Sequence, residues 1–227
     1  MEAAISIIIP TLNEAANLEE TVRRARRPGV VEIIVVDGGS SDATRSCASA
    51  IADEVLESAP GRARQMNAGA QRAHGDILLF LHADTHLPTD FADVIGAACH
   101  DVDVVAGRFD LRLEPSSPLL SLVAALINAR SRATRVATGD QAIFVRRTTF
   151  ERLGGYAEIP LMEDIELCRR LKRCGRIACL RDKVTTSSRR WRRHGVIRTI
   201  LLMWTLKSLY LLGVSPERLS RLYRHAR

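Results

Sequence analysis

Aromatic side chains are scarce, at 4% of 227 residues. Single-stranded nucleic acids are held by stacking bases on such rings, and no helix-turn-helix spacing is present, so nucleic acid is not expected as a partner. Cysteine is sparse and odd in number. Cys47, Cys99, Cys168, Cys174 and Cys179 include no Cys-x-x-Cys pair, which argues against a disulfide framework or zinc knuckle and fits a reducing compartment. Met1-Glu2-Ala3-Ala4 has no basic stretch ahead of an apolar run that stops at Pro10, so no secretory signal is expected and a cytoplasmic location is. The absence of Gly-x-Gly-x-x-Gly disfavours a nicotinamide dinucleotide.

Acid is almost missing from the C-terminal part. Between Arg189 and Arg227 there are ten basic residues and one acid, Glu217, a balance of +9 in a chain whose net charge is +7. Residues 1–188 therefore carry −2. This divides the chain into an expected catalytic domain, 1–188, and a basic helical tail, 189–227. Within the tail, Thr199 to Pro216 contains only one charge, Lys207. Eighteen residues lie near the lower limit for crossing a bilayer, but Gly213 and Pro216 shorten the helix. An interfacial helix on the inner membrane face, a homodimer contact, and packing on the domain's own core are the three readings.

What is present is a strand–helix alternation. Ile5 to Ile9 is a β-branched run ended by Pro10, as a strand buried on both faces requires. Asn13 and Glu14 open a helix with Leu18, Val22 and Ala25 at helical spacing. Strands follow at Val31–Val36, Val55–Leu56 and Asp76–Leu81, separated by helices Thr44–Ala52 and Arg64–Ala73. Further on, the pattern predicts a helix over Asp90–Cys99 and a strand Val104–Leu113 on an antiparallel edge. A helix Pro118–Ser131, a strand Gln141–Val145, a helix Met162–Cys174 and a short strand Ile177–Leu180 complete it. Right-handed βαβ crossovers then give a three-layer α/β domain with a mostly parallel sheet flanked by helices, plus the helical tail.

In open α/β sheets ligands bind beyond the carboxyl ends of the strands, and three such places are acidic here. Asp37-Gly38-Gly39-Ser40-Ser41-Asp42 puts a carboxylate at a strand end, where Asp37 can accept a base N–H or a ribose hydroxyl; a loop in which Asp42 caps the next helix is the plainer reading. His82-Ala83-Asp84-Thr85-His86 offers Asp84 to a hard divalent cation, or a His82-Asp84-His86 set to zinc. Met162-Glu163-Asp164-Ile165-Glu166 opens a helix with three acids, which favour its dipole, and one of them can take a proton from an attacking hydroxyl. Gly139-Asp140-Gln141 reads either as a tight turn or as an acceptor contact.

The segments Ile7-Ile8-Ile9-Pro10-Thr11-Leu12-Asn13-Glu14, Asp37 to Asp42, His82-Ala83-Asp84 and Glu163-Asp164, in this order, resemble the motif set of family 2 glycosyltransferases with the GT-A (Rossmann-like) fold. The resemblance implies an inverting transferase using a nucleotide-diphosphate sugar and a divalent metal, Mn2+ or Mg2+. It assigns Pro10, Thr11, Glu14 and Asp37 to the nucleotide, Asp84 to metal and diphosphate, and Asp164 to the general base with Glu163 beside it. His82 stands where the family has the first Asp of Asp-x-Asp. Met66-Asn67-Ala68-Gly69 stands for Arg-Asn-x-Gly, so Asn67 and a displaced basic residue, Arg64 with Arg62 nearby, are donor-side candidates. Arg189-Arg190-Trp191 lacks the Gln of processive members; with Asp140 and Gln141 it is expected on the diphosphate and acceptor side.

The expected acceptor is a hydroxyl compound, lipid-linked acceptors being the class that suits a basic apolar tail. Two rivals are a sugar-phosphate nucleotidyltransferase and a non-catalytic nucleotide-sugar binding module. The first would carry a basic Gly-rich loop where Thr11-Leu12-Asn13-Glu14 is acidic, and the second would not need Asp164.

Overall fold

In the computed structural model, which describes residues 4–225, eight strands form one sheet. They are β1 (Ile5–Thr11), β2 (Val30–Asp37), β3 (Glu54–Glu57), β4 (Ile77–Phe80), β5 (Thr85–His86), β6 (Val104–Glu114), β7 (Ile143–Arg146) and β8 (Arg176–Ser187), in spatial order β3-β2-β1-β4-β7-β6-β8-β5. Strands β1 to β4 pair in parallel, β7 runs antiparallel to β4 and β6, β6 is parallel to β8, and β5 is antiparallel to β8.

Both faces of this sheet are covered, which is why β1 reads as a continuous apolar run. Ile5, Ile7 and Ile9 enter a core shared with α1 (Ala15–Ala25), α2 (Thr44–Ile51), α4 (Phe91–Cys99) and α5 (Pro118–Thr134). On the opposite face, Ile8, Ile34 and Val36 pack with α3 (Arg62–Arg72), α6 (Arg147–Arg152) and α7 (Glu163–Leu171). Alternate side chains of a strand leave opposite faces, so both parities must be apolar. The result is a three-layer α/β domain.

Three sequence expectations need correcting. Strand β6 is not an edge: it lies between β7 and β8, and its residues from Val104 to Leu111 are all buried. Strand β8 is much longer than Ile177–Leu180, because the charged run Arg181-Asp182-Lys183 stays in the ladder across an irregularity opposite Arg108 to Asp110, with Arg181 and Lys183 exposed. Gln141 precedes its strand: Gly139–Gln141 is a single 3-10 turn, and Ala142 takes a left-handed conformation (φ 47°) before β7 begins.

The tail forms α8 (Arg189–His194), α9 (Val196–Leu211) and α10 (Pro216–His225). Among the described residues no helix is long and apolar enough to cross a membrane. Trp191, Val196 and Ile200 pack against the first core, and buried Leu206 and Leu219 close a third cluster with Met162 and Ile165 at the head of α7. Ile197, Leu201, Trp204, Leu211 and Leu212 remain exposed on the other side. Burying one face on the domain makes the tail part of the fold. Leu206→Ala is therefore expected to lower the unfolding free energy by about 2–5 kcal/mol, the usual cost of truncating a buried leucine. An unchanged urea midpoint would place α9 outside the cooperative unit.

Candidate functional site at the carboxyl edge of the sheet

Strands β1 and β2 end in register, Thr11 opposite Asp37, and there the first carboxylate is buried. Asp37 accepts hydrogen bonds from the Gly39 and Ser40 amides (3.0 and 2.8 Å) and from the hydroxyls of Thr11 and Ser40. Four donors occupy the four lone-pair directions of a carboxylate. Asp37 thus shapes its own loop. Asn13, with a positive φ of 57°, reaches across to accept from the Ser41 amide, while Asp42 caps both the Thr44 and the Ala15 amides. Gln65 of α3, which sequence reasoning passed over, braces both strand ends by donating to the Thr11 and Val36 carbonyls at 2.8 Å.

Strand β4 delivers His82 and Asp84. Burial, with the Arg62 guanidinium nearby, holds the His82 imidazole down at about 3, so it is neutral at physiological pH. Asp84 is pushed up by burial and then by the Glu14 carboxylate, against the pull of Arg189 and Arg62. Arg189 lies between the two acids, 3.2 Å from Glu14 and 4.0 Å from Asp84.

The third group sits at the start of α7. Met162 adopts φ 72°, a left-handed conformation costly for a side chain with a Cβ, and it turns the chain into a helix whose first residues are Glu163 and Asp164. Glu163, 8% exposed, is raised to about 7 by burial and by Asp164. Asp164 is raised chiefly by burial; it accepts the Gly139 amide at 2.9 Å and its neighbour's amide at 2.7 Å, and Lys207 of α9 pulls the other way. Gly139 is also in contact with His82, whose Nε2 would lie 2.7 Å from any added Cβ. The base candidate and the β4 end therefore meet at this turn.

A model of the family described as Glycosyl transferase family 2 matches residues 6–118. The chain belongs to glycosyltransferase family 2. It is 32% identical over 114 residues to glycosyltransferase AglJ of Haloferax volcanii, covering 48% of this chain and 38% of that one. To the undecaprenyl-phosphate 4-deoxy-4-formamido-L-arabinose transferase of Pseudomonas paraeruginosa it is 30% identical over 157 residues, 63% of this chain and 46% of that one. The chain thus spans less than half the length of these relatives. Mannosyltransferase PcManGT of Pyrobaculum calidifontis, solved with GDP-Man and Mn2+, superposes with TM-score 0.73 at 22% identity, over all of this chain and 69% of its own. Glucosyl-3-phosphoglycerate synthase of Mycobacterium tuberculosis, solved with Mn2+ and UDP-glucose, gives 0.57 at 21%, covering 80% and 70%. The fold is that of the GT-A glycosyltransferases.

Within this family 2 chain the other sequence candidates divide. Pro10 pairs with Val36 in the sheet and Thr11 with Asp37. Asn67 is spent on the backbone of Tyr156, and exposed Arg64 pairs with Glu158 at 3.1 Å. Arg62, two residues earlier, is the α3 cation whose field reaches His82, Asp84 and Glu163. Gln141 is fully buried and closes the Thr138 capping box while donating to the Phe109 carbonyl; Asp140 accepts from Thr138. Of the tail trio, Arg189 reaches the acids Glu14 and Asp84. Arg190 lies over the Tyr223 ring at 5.0 Å, and Trp191 packs on the core.

The zinc reading does not hold: His86 pairs with Thr185 near Arg24 and Glu20, and among the described residues no three His, Cys, Asp or Glu side chains come together as a cage. A hard cation that keeps open positions for diphosphate oxygens and water needs fewer protein ligands. Asp84 suits it, since a like charge opposes it and the Arg189 guanidinium already stands there as a cation.

The elevated Glu163 carboxyl has a measurable consequence. The folded chain keeps this proton up to about pH 7, whereas the unfolded chain releases it near 4.5, so stability falls as pH rises between these values. Glu163→Gln is expected to flatten that slope in urea titrations at about pH 5 and about pH 7. Equal slopes in the two proteins would show that Glu163 is not held protonated.

Proposed function

We propose that this chain moves a sugar from a nucleotide-diphosphate sugar to an acceptor hydroxyl, with inversion at the anomeric carbon. The observation that carries the reading is that Asp164 and the end of β4 share the Gly139 turn: Asp164 accepts the Gly139 amide, and His82, two residues before Asp84, lies against the same glycine. Single displacement needs a base on one side of the anomeric carbon and charge stabilisation on the other. The known ligands of PcManGT and of glucosyl-3-phosphoglycerate synthase, a nucleotide sugar and Mn2+, support the donor class and the metal.

In this reading residues 1–188 bind the donor and supply the base, while the tail, 189–227, completes the site. The loops after β1 and β2, shaped by Asp37, Asn13 and Gln65, receive the nucleotide. Asp84, with Glu14, would hold a divalent cation, whose Lewis acidity neutralises charge on the departing nucleoside diphosphate. Arg189 and Arg62 add fixed positive charge at the same end. As the acceptor oxygen bonds to the anomeric carbon and the bond to the diphosphate breaks, Asp164 takes the hydroxyl proton. A carboxylate raised by burial is a stronger base than a solvated one, and Glu163, raised to about 7 by burial and Asp164, carries less than a full second charge near neutral pH.

The acceptor side faces the tail. Exposed Ile197, Leu201 and Trp204 with Arg192, Arg193 and Arg198 suit peripheral attachment to an anionic membrane, and the undecaprenyl-phosphate named in one relative's activity supports a lipid-linked acceptor. The base assignment is tested by Asp164→Asn. Transfer from the matching nucleotide sugar should fall by about 10²- to 10⁴-fold while donor affinity, read by calorimetry, stays near wild type. Near-normal turnover would remove Asp164 from the reaction.

A further inference from the structure

A second group of cations, Arg130, Lys207 and Arg108, lies in the field of Asp164 and Asp140 and is short of hydrogen-bond acceptors. Arg130, late in α5, has its Nη2 buried with no hydrogen-bond partner. Arg108 of β6, only 1% exposed, likewise leaves Nε and Nη2 unpartnered; its Nη1 shares Asp110 with Arg132, so one carboxylate there serves two guanidinium groups. Lys207 of α9 lies in the field of Arg130, and among the described residues neither of these two makes an ion pair. Burial and then Arg130 bring the Lys207 ammonium down to about 8, while Asp164 and Asp140 support its charge. Arg130 is lowered by burial, with Asp140 and Asp164 opposing and Arg108 adding to the fall.

A buried guanidinium N–H with no acceptor is costly, and adjacent cations repel. Both costs fall if an oxyanion with several acceptor oxygens comes within reach of Arg130 and Lys207. Guanidinium and ammonium groups together suit a phosphate, the first as a planar donor and the second as a point charge. Building on the transferase reading above, we propose that Arg130 and Lys207, backed by Arg108, form a subsite for a phosphate group carried by the acceptor, which brings the reacting hydroxyl to Asp164. Arg130 and Lys207 are then binding residues, and the tail supplies half of the subsite. A phosphate on a soluble acceptor and one at a lipid headgroup would be recognised alike.

The test uses the full chain and glycerol 3-phosphate as probe, at constant ionic strength. Saturable binding is expected in calorimetry, weakened about tenfold or more by Arg130→Gln and by Lys207→Gln, the usual scale for losing a charged hydrogen bond. Binding of a nucleoside diphosphate with Mn2+ should be unchanged in both variants. Asp164→Asn should retain or strengthen phosphomonoester binding, so loss of the base assignment and loss of this subsite read out separately. Should either variant fold poorly, the wild type still decides: only three lysines are present, and glycerol 3-phosphate should protect Lys207, not Lys172 or Lys183, from acetylation followed by mass spectrometry. Vesicles containing phosphatidic acid, compared with phosphatidylserine vesicles of equal surface charge, identify the source. Preferential binding that Arg130→Gln abolishes indicates a lipid-borne phosphate, and glycerol 3-phosphate binding without it a soluble acceptor. No saturable phosphomonoester binding, or binding indifferent to both variants with Lys207 unprotected, overturns the proposal.

Discussion

Carboxylates crowded at the carboxyl edge of one sheet set the terms for the rest of this molecule. Desolvation raises Asp84, Glu163 and Asp164, and each also feels a like charge, Glu14 on Asp84, Asp164 on Glu163 and Asp140 on Asp164. Such a group of acids persists in a fold only if cations and amides are brought to it. They arrive from distant parts of the chain: Arg62 from α3, Arg189 from α8, Lys207 from α9, and the Gly139 amide from the turn before β7. The fold can be understood as the means of assembling these contributions.

The tail illustrates the point. By charge it is a separate appendage, +9 against −2 for the rest. By packing it is not, because Leu206 and Leu219 close a cluster on Met162 and Ile165, the residues that flank the Glu163–Asp164 pair. Fixing Lys207 near Asp164 therefore depends on apolar contacts a few residues away. The same helices keep a second apolar face exposed, so one element can serve the site with one side and a surface with the other.

Legibility in the sequence followed the range of the interactions. Strands β1 and β2 were readable because burial on both faces leaves an unbroken β-branched run, and the acids at strand ends were readable because sheet topology gives such positions meaning. The edge assignment of β6 failed because position in a sheet depends on which strand arrives next to it, here β8, whose charged middle resembles a turn. Asn67, Arg64, Gln141 and Trp191 matched expected positions, yet their side chains are engaged by Tyr156, Glu158, Phe109 and the core. Gln65 and Arg130 carry no local signal, and Arg62 and Lys207 stood out only as a displaced base and as the lone charge of the tail's apolar stretch: the groups they meet come from far away in sequence.

The central proposal is that Asp84 anchors the nucleotide donor while Asp164 takes the acceptor proton. Calorimetry of UDP and GDP binding with and without Mn2+, in wild type and Asp84→Ala, addresses it most directly. The account predicts that at least one nucleoside diphosphate binds the wild type more tightly with Mn2+ and that Asp84→Ala removes this gain. Binding equally strong in both proteins and indifferent to Mn2+ would contradict it.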